Sequence, residues 1–318
     1  MSGEFDLIAR HFSRCPPRDD VCLGVGDDAA LLRPPSGQVL VATVDTLIAG
    51  VHFPEQTAPE DIGHKSLAVN LSDLAAMGAE PAWVTLAISL PKVDDRWLYA
   101  FAEGFYALAA RHRVALVGGD TTRGPLCITV QALGWVPEGE ALRRTGARPG
   151  DDIYVTGTLG DAGLGLAVVQ SRIQVDPAHR EALLARLNRP EPRIETGLAL
   201  RGLASAAIDI SDGLAADLGH LLEASGVGAR VELDRLPRSD AVRLADPHGR
   251  LALTAGDDYE LAFTLPPGCE ADLARYAERL PPYTRIGRVE AVPGLRLIDA
   301  QGNPFAFSHR GYDHFRES

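Results

Sequence analysis

The chain has 318 residues, 46% of them hydrophobic, and its 43 acidic side chains against 31 lysines and arginines give a formal charge of −12. This composition excludes a disordered chain, and the length is enough for about two domains. The acidity argues against nucleic acid or an anionic membrane surface as a partner, because both attract basic proteins.

The cysteines and the N-terminus predict the compartment. Cys15, Cys22, Cys127 and Cys269 are scattered without a CxxC pair, which indicates neither a zinc site nor a disulfide framework. The first 20 residues lack the apolar core of a signal peptide, and no apolar run approaches the roughly 18 residues of a membrane span. We therefore expect a cytoplasmic protein.

Helices and strands alternate in the first half of the chain. In chain order the patterns predict a helix over 4–11, a turn at 24–28, a strand near 30–33, a buried strand over 39–45, a helix over 59–78, a strand over 83–90, a helix over 96–113, and strands over 114–117 and 127–136. Such alternation is typical of a layered α/β domain.

Turn-forming residues at 136–150 predict a domain boundary that divides the chain into residues 1–137 and 138–318. The second domain is also predicted to be α/β, with strands over 153–156 and 206–210 and helices over 164–171 and 212–225. Ser211 is placed to cap the latter helix. The glycine-rich run 156–165 fits strand–turn–helix packing better than a phosphate-binding loop.

Aspartates concentrate at the predicted strand ends and helix starts. Asp outnumbers Glu by 26 to 17, and only two lysines are available to pair with these acids. Ligands of α/β sheets bind beyond the strand ends, and clustered carboxylates repel one another unless cations lie between them. Hard oxygen ligands select Mg²⁺, Ca²⁺ or Mn²⁺. The acids of this group are Asp27, Asp28, Asp45, Asp73, Asp120, Asp209, Asp212, Asp257, Asp258 and Glu260.

Several familiar metal and phosphate motifs are missing. Counted from Asp209, position 12 of an EF-hand loop would be His220 rather than Glu, and there is no HExxH. A GxxxxGK[ST] loop and a protein-kinase glycine loop are also missing. If ATP binds, its charge must therefore be met by metal ions and arginine.

Seven motifs follow one another between residues 26 and 315. They are Gly-Asp-Asp-Ala-Ala at 26–30, Val-Asp-Thr-Leu at 44–47 with Gly-Val-His-Phe at 50–53, Asn-Leu-Ser-Asp-Leu-Ala-Ala-Met-Gly at 70–78, Gly-Gly-Asp-Thr-Thr-Arg-Gly at 118–124, Asp-Ile-Ser-Asp-Gly-Leu at 209–214, Gly-Asp-Asp-Tyr-Glu-Leu at 256–261 and Gly-Tyr-Asp-His-Phe at 311–315. Together they resemble the thiamine-monophosphate kinase family, within the superfamily of aminoimidazole ribonucleotide synthetase and selenophosphate synthetase.

The resemblance implies ATP-dependent phosphorylation of thiamine monophosphate to thiamine diphosphate by direct in-line transfer. It also implies an N-terminal ATP- and Mg²⁺-binding domain with a mixed sheet, a C-terminal α/β domain that completes the substrate site, and a homodimer joined through N-terminal strands. The implied ligands of several Mg²⁺ ions are Asp28, Thr43, the carbonyl of Val44, Asp45, Asp73, Asp120, Asp209 and Asp212. The implied ATP contacts are Gly119, Asp120, Arg144 and Ser211, and the implied substrate contacts are His52, Glu260 and Tyr312. Asp212 is the predicted ligand nearest the reacting phosphate.

Two positions depart from the family pattern. Val44 stands where relatives often carry a hydroxyl residue, and Ala102 falls where they carry a tyrosine against the nucleotide. Three alternatives stay open: another ATP-using enzyme of the same superfamily, a divalent-metal nucleotide-binding protein without turnover, and a two-metal phosphohydrolase.

Overall fold

The computed structural model describes residues 4–14 and 18–305. The chain divides into two compact units. The N-terminal unit comprises residues 1–74 and 79–139, and the C-terminal unit comprises residues 75–78 and 140–318.

The N-terminal unit combines helices with a four-stranded sheet of order β3-β6-β4-β5 and a two-stranded β1-β2 sheet. Its elements are α1 (Glu4–His11), β1 (Val21–Leu23), β2 (Leu31–Leu32), β3 (Gln38–Ile48), α2 (Pro59–Ala76), β4 (Glu80–Leu90), α3 (Asp95–Arg111), β5 (Ala115–Arg123) and β6 (Cys127–Pro137). Only β4 and β5 pair in parallel in the larger sheet, so it is mixed. The alternating pattern therefore identified the elements of this unit apart from their exact ends, but it did not predict the short strand β1.

Two glycines allow helices α2 and α3 to touch. A Cβ atom at Gly63 would lie 2.0 Å from the carbonyl oxygen of Phe101, and one at Gly104 would lie 1.8 Å from that of Glu60. Only a residue without a side chain fits at such a distance. The close crossing keeps α2, which carries Asn70 and Asp73, firmly in place.

Strand β3 differs from the prediction in two ways. It continues past Asp45 to Ile48, and it is not buried: Val44 is 58% exposed and Leu40 is 49% exposed. The physical reason is its position at the edge of the sheet, where β6 is its neighbour on one side only. An apolar strand pattern predicts that the strand is covered, but it does not show whether the same chain or another molecule covers it.

The C-terminal unit is built on a six-stranded sheet of order β12-β9-β11-β7-β10-β8, in which only β12 and β9 pair in parallel. Its elements are β7 (Asp152–Thr156), α4 (Asp161–Val169), α5 (Pro177–Asn188), α6 (Ile194–Leu200), β8 (Ala206–Ile210), α7 (Leu214–Ser225), β9 (Gly228–Glu232), α8 (Asp240–Ala245), α9 (Arg250–Thr254), β10 (Glu260–Leu265), α10 (Glu270–Leu273), β11 (Tyr283–Glu290) and β12 (Gly294–Ile298). Helix α7 and strands β7 to β12 share one hydrophobic core.

Two predictions about where helices begin were wrong, and helix α5 was missed. Ser211 does not cap α7, because that helix begins at Leu214 behind Gly213. Helix α4 begins at Asp161, three residues earlier than predicted. Helix α5 was not predicted at all, although Asp176 caps it and Pro177 occupies its first turn, which is a recognisable start signal.

No helix in the described part of the chain is long and apolar enough to cross a membrane.

Candidate phosphate and metal site

Strand β3 and helix α2 bring three predicted site residues together in the N-terminal unit. The Thr43 hydroxyl donates a hydrogen bond to Asp73, and the Asp45 backbone N–H donates to Asn70 Oδ1 at 3.1 Å. Thr43 and Asp45 lie on the same side of β3 because they are two residues apart. The spacing of Asn70 and Asp73 on α2 likewise places them on one face.

Charge is concentrated at this point. Burial raises the pKa of Asp45 to about 6, and the negative charge of Asp73 adds to the effect. Two carboxylates and a hydroxyl are hard oxygen donors of the kind that Mg²⁺ prefers. The residues therefore fit a divalent cation, which would relieve the repulsion between the two acids.

His52 is held in one orientation by the turn that follows β3. Its Nδ1 accepts a hydrogen bond from the Ile48 N–H at 3.0 Å, and its carbonyl oxygen accepts one from the ammonium group of Lys65 at 3.3 Å. Lys65 is only 2% exposed. Because a backbone N–H can only donate, Nδ1 is the acceptor, and the neutral imidazole carries its proton on Nε2.

Asp120 and Gly119 lie within strand β5, which continues to Arg123 instead of ending before them as predicted. Gly119 has φ +153°, and a Cβ atom there would lie 1.9 Å from the Leu86 carbonyl oxygen, so the position requires glycine. β5 and β3 form opposite edges of the sheet. Three strand spacings of about 4.8 Å place Asp120 roughly 14 Å from β3 along the sheet.

The remaining predicted residues of this unit are more scattered. Asp28 is exposed in the turn after β1, where its N–H bonds to Asp27. Ala102 is completely buried in α3, so no nucleotide contact comes from it. Within residues 4–14 and 18–305, no three His, Cys, Asp or Glu side chains form a group that could hold a metal ion.

The C-terminal unit carries a second group of acids at the end of β8. Asp209 is 5% exposed within the strand, and Ser211 and Asp212 follow in the turn. The Ser211 carbonyl oxygen accepts a hydrogen bond from the Asp257 N–H at 2.9 Å, which ties this turn to the Gly-Asp-Asp motif. Asp217 of α7 turns back and accepts the N–H groups of Ser211 and Asp212, each at 3.0 Å.

Glu260 is fully buried at the start of β10. Its carboxylate accepts hydrogen bonds from Arg186 at 2.7 Å, from Arg193 Nε at 2.6 Å and from the Thr156 hydroxyl at 2.6 Å. Burial raises its pKa, but the two guanidinium groups outweigh burial and hold the pKa below its ordinary value. Direct contact with a substrate stays a prediction, and in this structure the carboxylate is occupied by the two arginines.

Two further predicted residues are far less defined. Arg144 is exposed, and its carbonyl oxygen accepts a hydrogen bond from the Ser225 hydroxyl at 2.8 Å. Tyr312 lies outside the described residues.

The glycine-rich run after β7 is a packing element, as favoured from the sequence. Asp258, which is 1% exposed, accepts the N–H groups of Gly160 at 2.7 Å and Ala162 at 3.5 Å. These N–H groups at the start of α4 are the ones a phosphate would need.

The buried Asp258 carboxyl predicts a pH-dependent stability. Burial raises the pKa of Asp258 to about 8, against about 3.9 in an unfolded chain. Between these values the folded state binds the extra proton, so its stability falls as the pH rises, by at most about 1.4 kcal/mol per pH unit. Asparagine does not titrate. We therefore expect the free energy of unfolding of Asp258→Asn, measured with urea, to rise relative to that of the wild type between pH 6 and pH 8. Parallel pH profiles would contradict this assignment.

Sequence reasoning missed Lys65, Arg186, Arg193 and Asp217. Lys65 had a usable signal, because it is one of only two lysines in the chain. Arg186 and Arg193 contact Glu260, which is far away in the sequence, and Asp217 contacts the turn just before its own helix. Residue spacing does not reveal such contacts.

Comparisons with known proteins match both halves of the chain. Residues 26–136 match the family model of AIR synthase related protein, N-terminal domain, and residues 148–300 match that of the C-terminal domain. The chain is 52% identical to the thiamine-monophosphate kinase of Salmonella typhimurium over 98% of both proteins. It resembles the crystal structure of thiamine-monophosphate kinase from Stenotrophomonas maltophilia K279a, with 51% identity, a TM-score of 0.84 and coverage of 92% of this chain and 94% of that one. A structure of AaThiL complexed with AMPPCP and TMP matches with 31% identity and a TM-score of 0.78, over 98% of this chain and 97% of that one.

Proposed function

The chain belongs to the thiamine-monophosphate kinase family and is a phosphotransferase, and we propose that it transfers the γ-phosphoryl group of ATP to thiamine monophosphate, which yields thiamine diphosphate and ADP. The observation that carries the proposal is a likeness along the whole chain, including a relative that binds AMPPCP and TMP together. The acids of both units supply the oxygen donors that phosphoryl transfer requires.

Mg²⁺ is the metal that fits these donors. When bound, such ions would supply the positive charge that neutralises the phosphate oxygens. Thr43, Asp45 and Asp73 support the proposal, because their oxygens already lie together. The residues that would hold the ions are Asp28, Thr43, the Val44 carbonyl, Asp45, Asp73 and Asp120 in the N-terminal unit and Asp209 and Asp212 in the C-terminal unit.

The residues of the chain act mainly by positioning. The acceptor is a phosphate monoester that is largely deprotonated at neutral pH, so no strong general base is required. Transfer is then direct and in line, without a phosphoenzyme. His52 offers Nε2–H as a donor to thiamine monophosphate, with Glu260 and Tyr312 as the other predicted contacts. Gly119, Asp120, Arg144 and Ser211 would hold ATP.

A homodimer explains two features of the N-terminal unit. Asp45 and Asp120 lie too far apart along one sheet to share an ion, whose ligands stand about 2.1 Å from it. The even-numbered residues of β3, from Leu40 to Ile48, are all exposed, and most are apolar. An exposed apolar edge strand of this length marks an interaction surface. We therefore propose that β3 pairs two copies of the chain.

The dimer is tested by Val44→Glu. We expect the variant to elute as a monomer in size-exclusion chromatography with light scattering and to lose thiamine diphosphate formation, because a carboxylate replaces a 58% exposed valine at the proposed interface. Leu244→Glu is the matched control, since Leu244 is 76% exposed on α8 and is not part of β3. A monomeric wild type would contradict the proposal.

One assay separates the proposed reaction from its rivals. The purified protein is incubated with Mg-ATP and thiamine monophosphate, and the products are separated by chromatography. Thiamine diphosphate and ADP in equal amounts are expected. Inorganic phosphate without thiamine diphosphate would indicate a phosphohydrolase, and ATP binding without turnover would indicate a binding protein. A labelled phosphoprotein after incubation with ATP alone would refute direct transfer.

A further inference from the structure

Asp217 is a buried acid that none of the predicted roles includes. It lies in the first turn of α7 and is 4% exposed. Its Oδ2 accepts two backbone N–H groups, those of Ser211 and Asp212, each at 3.0 Å. One carboxylate oxygen therefore holds both residues of the turn that are predicted to contact ATP and metal.

The residue that follows this turn, Gly213, has no side chain that could hold the turn in place. The N-cap residue of α7 is Gly213, which has φ +110° and no side chain with which to cap the helix. This φ is one that only glycine adopts freely, and a Cβ atom at Gly213 would also lie 2.8 Å from the Thr254 backbone, so the position requires glycine. Gly213 therefore supplies no side-chain acceptor at the start of α7, and the side chain that binds the preceding turn is that of Asp217.

The other side of the turn is already fixed. The Asp257 N–H donates to the Ser211 carbonyl oxygen at 2.9 Å, and the Tyr259 N–H donates to that of Ile210 at 2.8 Å. Asp217 thus closes the turn from the N–H side while the Gly-Asp-Asp segment closes it from the carbonyl side. Both clamps are needed to fix where the side chains of Ser211 and Asp212 project.

We infer that Asp217 is a positioning residue, whose carboxylate clamps the backbone of Ser211 and Asp212 so that their side chains meet the metal-bound phosphates in a fixed geometry. The inference rests on the proposed function of these two residues. Asp217 itself touches no reactant and acts through the backbone.

The test compares Asp217→Ala, Asp217→Asn and Asp217→Glu. Alanine removes both hydrogen bonds. Asparagine keeps one side-chain oxygen, which suffices because a single oxygen accepts both N–H groups. Glutamate keeps the charge but moves it by one methylene. The matched control is Asp151→Ala, because Asp151 is also 4% exposed and accepts the Arg148 N–H and the Ser205 hydroxyl, away from the predicted site residues.

Three readouts are measured on the full chain: amide hydrogen exchange at 211–212, Mn²⁺ affinity by calorimetry without nucleotide, and kcat/KM for thiamine diphosphate formation. In Asp217→Ala and Asp217→Glu we expect at least about fivefold faster exchange. Mn²⁺ binding should weaken about tenfold and kcat/KM should fall about 100-fold. Asp217→Asn should remain within about fivefold of wild type, and Asp151→Ala should change only thermal stability.

Each result decides the question. Wild-type amide protection in Asp217→Ala would overturn the clamp itself. Faster exchange with wild-type Mn²⁺ affinity and kcat/KM would keep the clamp but refute the proposed role of the turn, and with it the inference. If Asp217→Ala fails to fold, Asp217→Glu takes its place, and wild-type Mn²⁺ affinity in that variant would overturn the inference. Loss of Mn²⁺ affinity in Asp151→Ala would show that any buried anchor has this effect, which would also overturn it.

Discussion

Replacing Asp212 with asparagine is expected to lower kcat for thiamine diphosphate formation by about 100- to 1000-fold, the effect of removing one preorganised charge from the stabilisation of a transition state. Asp212 stands in the turn after β8, with its N–H bound to Asp217. Asparagine has nearly the same shape but no charge, so the fold should persist while an oxygen ligand of the proposed metal site is weakened. Steady-state kinetics with chromatographic detection of the product measure the effect.

The control for this variant is Glu223→Gln. Glu223 is an exposed acid near the C-terminal end of α7, the helix that follows the Asp212 turn, so the substitution removes one negative charge without touching that turn. It should leave kcat unchanged, and both variants should unfold at the same temperature as the wild type. A wild-type kcat in Asp212→Asn would show that Asp212 takes no part in the reaction.

Many elements could be read from the sequence because each depends on a local pattern, but strands β1, β9, β11 and β12 were not predicted. Helix α2 shows its apolar stripe within 18 residues, and Gly78 ends it in the left-handed conformation with φ +64°. Strand β8 is a short apolar run, and its five residues are all buried. Patterns of this kind need no knowledge of the rest of the chain.

Helix ends and burial were harder to predict, because they depend on partners far away in the sequence. Ser211 has the right residue type and position for an N-cap, yet its own N–H is bound by Asp217 and the helix starts three residues later. The apolar run of β3 reads as a buried strand, yet it lies at a sheet edge in this chain. Local sequence shows that a group needs a partner without showing which group provides it.

The candidate site shows the same division. The acids of the N-terminal unit were recognised by type, and the structure adds the contacts of Thr43 and Asn70 that hold Asp73 and Asp45 in place. The partners of Glu260 were out of reach, because Arg186 and Arg193 precede it by 74 and 67 residues. Long-range ion pairs leave no periodic signal in a single sequence.

The second large effect is expected on stability, from Arg193→Met. This variant leaves the fully buried Glu260 carboxylate with only Arg186 and Thr156 as partners. Breaking a buried ion pair costs about 3–5 kcal/mol, because an uncompensated charge remains in the interior. Urea unfolding at pH 7 measures the loss. Arg230→Met is the matched control, since Arg230 is 50% exposed and stands 3.9 Å from Glu290, and it should cost no more than about 1 kcal/mol.

A double-mutant cycle and the pH dependence identify the carboxylate as the cause. Arg193→Met combined with Glu260→Met should recover much of the lost stability, because no buried charge is then left unpaired.

The two arginines lower the pKa of Glu260, so their stabilisation is complete above the pKa of unfolded Glu, about 4.3, and is lost as the pH falls below it. The difference between wild type and Arg193→Met should therefore narrow in acid. A constant difference, or equal costs for Arg193→Met and Arg230→Met, would mean that Arg186 alone neutralises Glu260.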